Sequence, residues 1–166
     1  MALRVLLLLP CNSGAAVGDY FRGQFWKVAN NRRRKLGVEI TLGAIDCIPV
    51  FAKGEDDAVV LETEMHRVFG YDVFPSMDRL KGKLGRLARA IANGLMRVEK
   101  NFDKIYILLN VKAYAIATEL AINNFLPKHV KQKIVFRYVP GNPPRFTKLI
   151  VTTIEEIARI ANTENS

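Results

Sequence analysis

Cysteine and histidine are scarce in this chain, with two of each in 166 residues. Cys11 and Cys47 cannot make the disulfide framework that staples small secreted domains, and neither belongs to a Cys-x-x-Cys pair. So thin a ligand set predicts no metal and no cofactor, and this cysteine usage fits a reducing, cytoplasmic setting. Acting as a nucleophile, Cys11 would need a base beside it. Neither His66 nor His129 can be placed there from sequence, which makes a buried structural thiol the simpler reading and leaves the histidines on the surface. Long apolar runs are lacking too. The run ending at Leu9 is far below the ~18 residues that a membrane span needs, and Pro10 interrupts it before it could form the core of a signal peptide.

Negative charge is the other shortage. Asp and Glu number 16 against 25 Lys and Arg, a formal net charge of +9. An excess of this size concentrates polyanions (RNA, DNA, nucleotides, anionic lipid) near the surface and speeds their arrival. The rest of the composition is that of a folded protein, with 49% hydrophobic and 25% charged residues. A chain of this length suits one core, and a single α/β domain is expected over 1–161 with a frayed tail at 162–166.

What is present is an alternation of strand and helix signals. Leu3–Leu9 reads as a continuous aliphatic strand of a parallel sheet covered on both faces. Asp19 is a plausible N-cap for a helix through about Leu36, with Phe21, Phe25 and Val28 on one face and Gly37 ending it. A second strand is expected near Glu39–Ala44, then a polar turn at Lys53–Asp57. Ala58–Phe69 suits a short helix, although Val59–Leu61 also suits a strand. Asp78–Asn101 is an amphipathic helix by the spacing of Leu80, Leu84, Leu87, Ile91, Leu95 and Val98, its start drawn toward Arg86 by Gly82 and Gly85. Ile105–Leu109 is a strand, Ala113–Asn124 a helix, Ile134–Val139 a strand, residues 140–144 a rigid proline-rich loop and Phe146–Ala161 the closing helix. The expected architecture is a three-layer α/β sandwich, Rossmann-like or flavodoxin-like, with about four parallel strands in the order 2-1-3-4.

Parallel strands would bring whatever follows them to one edge of the sheet, where ligands of open α/β folds bind. The residues expected there are Asn12, Ser13, Asp46, Cys47, Asn110, Lys112, Asn142 and Arg145. The small polar groups suit orientation of a ligand, and Lys112 and Arg145 suit an anion. The loop from Gly14 to Gly18 fits neither Gly-x-x-x-x-Gly-Lys-Ser/Thr nor Gly-x-Gly-x-x-Gly, so both named phosphate motifs are excluded. Basic residues fall in three clusters: Arg32, Arg33, Arg34 and Lys35; Arg79, Lys83, Arg86, Arg97 and Lys100 along the long helix; and Lys128, Lys131 and Lys133. Each alone suits a solvated helix face, and together they point to a polyanion. Trp26 with Phe21 and Phe25 could stack bases, though their helical spacing suits a core.

The stretch Leu9-Pro10-Cys11-Asn12-Ser13, followed by a helix containing Phe25, resembles the opening of an α/β domain in archaeosine synthases, where an apolar strand runs into a Pro-Cys-Ser motif. Tyr71-Asp72 ahead of a long helix and then the strand Ile105–Leu109 is a similar layout. That family modifies archaeal tRNA, so the resemblance implies tRNA as a partner. The family's lysine after the cysteine and its serine/histidine run are replaced here by Gly14-Ala15-Ala16-Val17-Gly18, and no catalytic step is carried over with it. The expected function is a non-catalytic or accessory domain that binds RNA. The alternatives are an enzyme or sensor holding a nucleotide-like small molecule at the sheet edge, and a homo-oligomeric assembly subunit.

Overall fold

The computed structural model describes residues 2–10, 24–46, 59–62, 83–140 and 143–164. Five strands pair in parallel throughout: β1 (Val5–Leu9), β2 (Thr41–Asp46), β3 (Val59–Glu62), β4 (Lys104–Leu109) and β5 (Ile134–Tyr138). Their order is β3-β2-β1-β4-β5. The expected 2-1-3-4 arrangement is present as β2-β1-β4-β5, with β3 added at one edge. The segment 59–62 is therefore strand rather than helix. A four-residue apolar run is too short for periodicity to separate the two, and pairing of Gly43 with Val59 through Asp46 with Glu62 settles it.

Continuous aliphatic sequence in β1 follows from burial on both faces. Leu6 and Leu8 enter one core with Ile105, Ile107 and Leu109, while Val5, Leu7 and Leu9 enter the other with Leu42, Tyr106 and Leu108. Helices α2 (Leu84–Val98) and α3 (Lys112–Asn124) cover the first face through Leu87, Ile91, Leu95, Ala113, Ala117 and Ala121. Helices α1 (Gln24–Leu36) and α5 (Pro143–Glu164) cover the second through Trp26, Ala29, Phe146, Ile150, Ile154 and Ile157. The result is the three-layer α/β sandwich expected, in Rossmann-like strand order. Between α3 and β5 lies a one-turn helix, α4 (Lys128–Lys131). Among the described residues no helix is long and apolar enough to cross a membrane.

Several boundaries move for local reasons. Helix α1 ends where Gly37 was expected to end it. Gly37 adopts φ +63° and donates to the Arg34 carbonyl at 3.1 Å, while Val38 N–H reaches the Arg33 carbonyl at 3.1 Å. This is a Schellman cap, in which the left-handed residue is preferentially glycine. Beyond it the chain stays unpaired until Thr41 meets Leu6, which is why β2 begins two residues later than its apolar pattern suggests. Helix α2 starts at Leu84, between the two glycines, and closes in a single 3-10 turn over Glu99–Asn101. Helix α5 begins at Pro143 rather than Phe146, because proline is pre-set for the first helical turn and has no N–H to leave unbonded there. It continues to Glu164, three residues past the expected end at Ala161.

Arg137 on β5 faces the α5 layer, where it donates to Thr153 Oγ1 at 3.0 Å and pairs with Glu156 at 2.7 Å. It thereby satisfies a fully buried hydroxyl and ties the edge strand to the closing helix.

Candidate functional site

The all-parallel sheet has two chemically different edges. At the carboxyl edge, the backbone of Asp46 ends β2, Asn110 follows β4, Lys112 opens α3 and Arg145 lies in the first turn of α5. Asp46 and Asn110 flank the end of β1 on its two sides, roughly 10 Å apart by strand spacing. Helix α1, which follows β1, and helix α3, which follows β4, lie on opposite faces, so the crevice between β1 and β4 is the topological switch point. Half-buried Asn110 stands beside it, and Lys112 and Arg145 are exposed. Asn12, Ser13, Cys11, Cys47 and Asn142 lie outside the described residues, as do Arg79, His66 and Phe21.

The amino edge gathers charge. Strands β2, β4 and β5 are each entered from the C-terminal end of a helix or turn, and each of those ends is basic. Arg32, Arg33, Arg34 and Lys35 close α1 ahead of β2. Arg97 closes α2, and Lys100 and Lys104 carry the chain into β4. Lys128, Lys131 and Lys133 surround the turn into β5, and Arg4 precedes β1. The first and third clusters of the sequence thus meet Arg97 and Lys100 of the second on one edge. Lys83 and Arg86 sit at the opposite end of α2, roughly 15–20 Å away by helical rise, and belong to the carboxyl edge. The signal that locates the belt is available in sequence: in a parallel sheet, any helix end that leads directly into a strand lies at the amino edge. Lys104, absent from the expected clusters, follows from the same rule, and Arg4 lies at this edge because it directly precedes β1.

Two observations make the belt continuous. A cleft of about 640 Å³ opens across the start of β1, lined by Arg4, Asn30, Arg33, Arg34, Asn101 and Phe102 among others, and so joins the end of α1 to the turn after α2. Lys133 then donates to the Glu99 carboxylate at 2.7 Å and to the Glu99 carbonyl at 3.1 Å, joining that turn to the entry of β5. Several members are held in place. Arg33 donates to the Ile40 carbonyl at 2.6 Å and to Asn30 Oδ1 at 3.0 Å, and Lys131 donates to the Asn123 carbonyl at 3.1 Å. Three carboxylates partly balance the positive charge. Asp103 pairs with Arg4 at 3.2 Å, Glu155 approaches Arg32 at 3.6 Å, and Glu99 binds Lys133. Among the described residues no carboxylate pairs with Arg34, Lys35, Arg97, Lys100, Lys104, Lys128 or Lys131. Helix C-termini also favour cations, by about 0.3–1 kcal/mol each at low ionic strength within the last turn.

The pairs leave a pH signature. Lys133's hydrogen bond to the side chain holds Glu99 below the ordinary carboxylate range against the opposing effect of burial. The Arg4 backbone N–H, at 2.8 Å, and then its guanidinium do the same for Asp103. A carboxylate with a lowered folded pKa contributes stability that is present above its unfolded pKa and is lost as pH falls through the folded value. Glu99→Gln is accordingly expected to lower the thermal midpoint at pH 7, with the gap to the native chain closing as the pH is taken down to 3. An undiminished gap at pH 3 would assign the effect to packing instead.

Trp26 is 1% exposed and part of the core beside Phe146, which removes it as a base-stacking platform. Among the described residues no cluster of three His, Cys, Asp or Glu side chains could hold a metal ion. No protein-family model matches the chain, and neither a curated protein nor a solved structure matches it.

Proposed function

We infer that this α/β domain binds RNA through its basic amino edge, as an accessory or non-catalytic module, with tRNA the favoured substrate by resemblance. The observation that carries the reading is the convergence of separate basic clusters into one belt whose positive charge is only partly balanced by carboxylates. A contiguous row of cations across several strand spacings matches a phosphodiester backbone, whereas isolated helix-end cations would be spread over unrelated surfaces. Each phosphate neutralised on a single strand contributes roughly 0.7 to the salt slope. About six contacts therefore predict that log affinity for bulk tRNA falls against log salt with a slope near −4. A slope shallower than −1, or no retention on tRNA at ~50 mM salt, would overturn the reading.

A second reading rests on the switch point. Asn110 stands half-buried at the crevice between β1 and β4, and no side chain caps the first turn of α3, whose N-terminal amides suit an anion. An enzyme or sensor would hold a nucleotide-like small molecule there, with Asn12, Ser13, Asn110 and Lys112 as its contacts. Lys112→Ala would then abolish thermal stabilisation by a nucleotide that stabilises the native chain.

A further inference from the structure

The amino-edge cleft differs from the rest of the belt in being both apolar and hydrogen-bonding. Its lining includes Leu3, Val38 and Ile40, and Phe102 from the turn after α2. Its volume, about 640 Å³, lies within the range of pockets that take a small organic group. A surface that only neutralised phosphates would have no use for such a recess. Asn30 gives the recess a directed donor. Its Oδ1 accepts from Arg33 Nε at 3.0 Å, which fixes the amide and leaves the Nδ2 hydrogens for another acceptor. Arg33 is itself anchored on the Ile40 carbonyl, so the donor is held before any ligand arrives. Arg34 on the rim is exposed and suits a phosphate, while Glu39, also exposed on the lining, disfavours a phosphate inside and suits an N–H donor.

From this arrangement we propose that the cleft takes one unstacked nucleobase of the bound RNA strand, with Asn30 donating to the base edge and Arg34 holding the adjoining phosphate. Single-strand RNA readers commonly stack splayed bases on aromatic side chains or Arg guanidinium planes, and Phe102, Arg4 and Arg33 are all in the cleft lining. The proposal rests on the RNA reading, and adds to it a preference for bases over bare backbone charge.

The test compares two single-stranded probes of equal charge, a twelve-residue oligouridylate and an abasic ribose-phosphate oligomer of the same length, by fluorescence anisotropy at fixed salt. The native chain is expected to bind the base-bearing strand about tenfold or more tightly than the abasic one. Ala2→Leu/Asn101→Leu, at two exposed lining positions, fills the cleft and is expected to reduce that ratio to near one. Asn30→Asp keeps the oxygen that Arg33 needs but cannot donate, and should also lower the ratio, whatever its added charge does to both affinities. Equal binding of both probes by the native chain, or a ratio preserved in both variants, overturns the cleft proposal alone. Failure to bind either probe overturns the RNA reading with it.

Discussion

Phe146→Ala is expected to lower folding stability by about 3–5 kcal/mol, the cost of a large buried aromatic replaced by a cavity. For a chain of this size that corresponds to a fall in thermal midpoint of roughly 8–15 °C. Phe146 is fully buried at the first turn of α5 and belongs to the same core as Trp26, Leu7 and Leu9. Its ring meets Phe25 edge-on, with centroids 4.8 Å apart and planes at 75°. Such a pair contributes about 0.5–1.5 kcal/mol beyond the area it buries. The site has little freedom to collapse, because the sheet lies beneath it and α1 beside it. Phe146→Leu should cost less than half as much, since most of the volume is retained. A midpoint within 3 °C of native for the alanine variant would show that α5 does not anchor this layer. The amino edge lies at the other end of α5, so RNA affinity measured well below the midpoint should be unchanged.

The architecture was legible because the strongest signals in the chain coincide with burial on two faces. Val5–Leu9 has no polar position at all, which only a doubly covered strand explains, and its alternation between two cores follows from that. The stripe Leu87, Ile91 and Leu95 likewise places α2 on one side of the sheet. The failures are all short-range. Val59–Leu61 is too short a run to assign from its own residues, and what decides it is pairing with β2. Thr41 rather than Glu39 opens β2 because the cap at Gly37 delays pairing, and a cap's span is not visible in an apolar pattern. The prolines at 143 and 144 belong to the first turn of a helix rather than to a loop. Proline permits both, and what decides here is that Phe146 must face the core.

The site was legible to a different degree at each edge. The carboxyl edge follows from parallel pairing alone, and Asn110 and Lys112 do lie there. The amino edge needed helix polarity as well as charge. Arg33 and Arg97 come from helices on opposite faces of the sheet, and only the direction of α1 and α2 shows that their basic ends meet across the start of β1. The cleft itself had no sequence signal, since Asn30, Asn101 and Phe102 are unremarkable residues until β1 separates them by a single strand width.

Neutralising Arg34, Lys35, Lys100 and Lys128 together, each to glutamine, is expected to reduce affinity for tRNA by roughly 600-fold at 0.1 M salt. The figure follows from counterion release: four single-strand contacts steepen the salt dependence by about 2.8, and that slope is extrapolated to a 1 M reference where the electrostatic contribution vanishes. All four side chains are exposed and none has a carboxylate partner among the described residues. Removing Arg34 and Lys35 should cost the fold no more than about 1 kcal/mol each, through lost interaction with the α1 dipole. The matching control neutralises Lys112, Arg145 and Lys148, which lie at or near the carboxyl edge and are exposed too. If the belt is the interface, the first variant loses most of its affinity and flattens the salt slope toward −1, whereas the control stays within about threefold of native. Comparable losses per charge in both variants would mean that RNA responds only to net charge, and the amino edge would lose its standing as a site. A larger loss in the control would move the interface to the switch point, where Asn110 and the first turn of α3 would then be the groups to pursue.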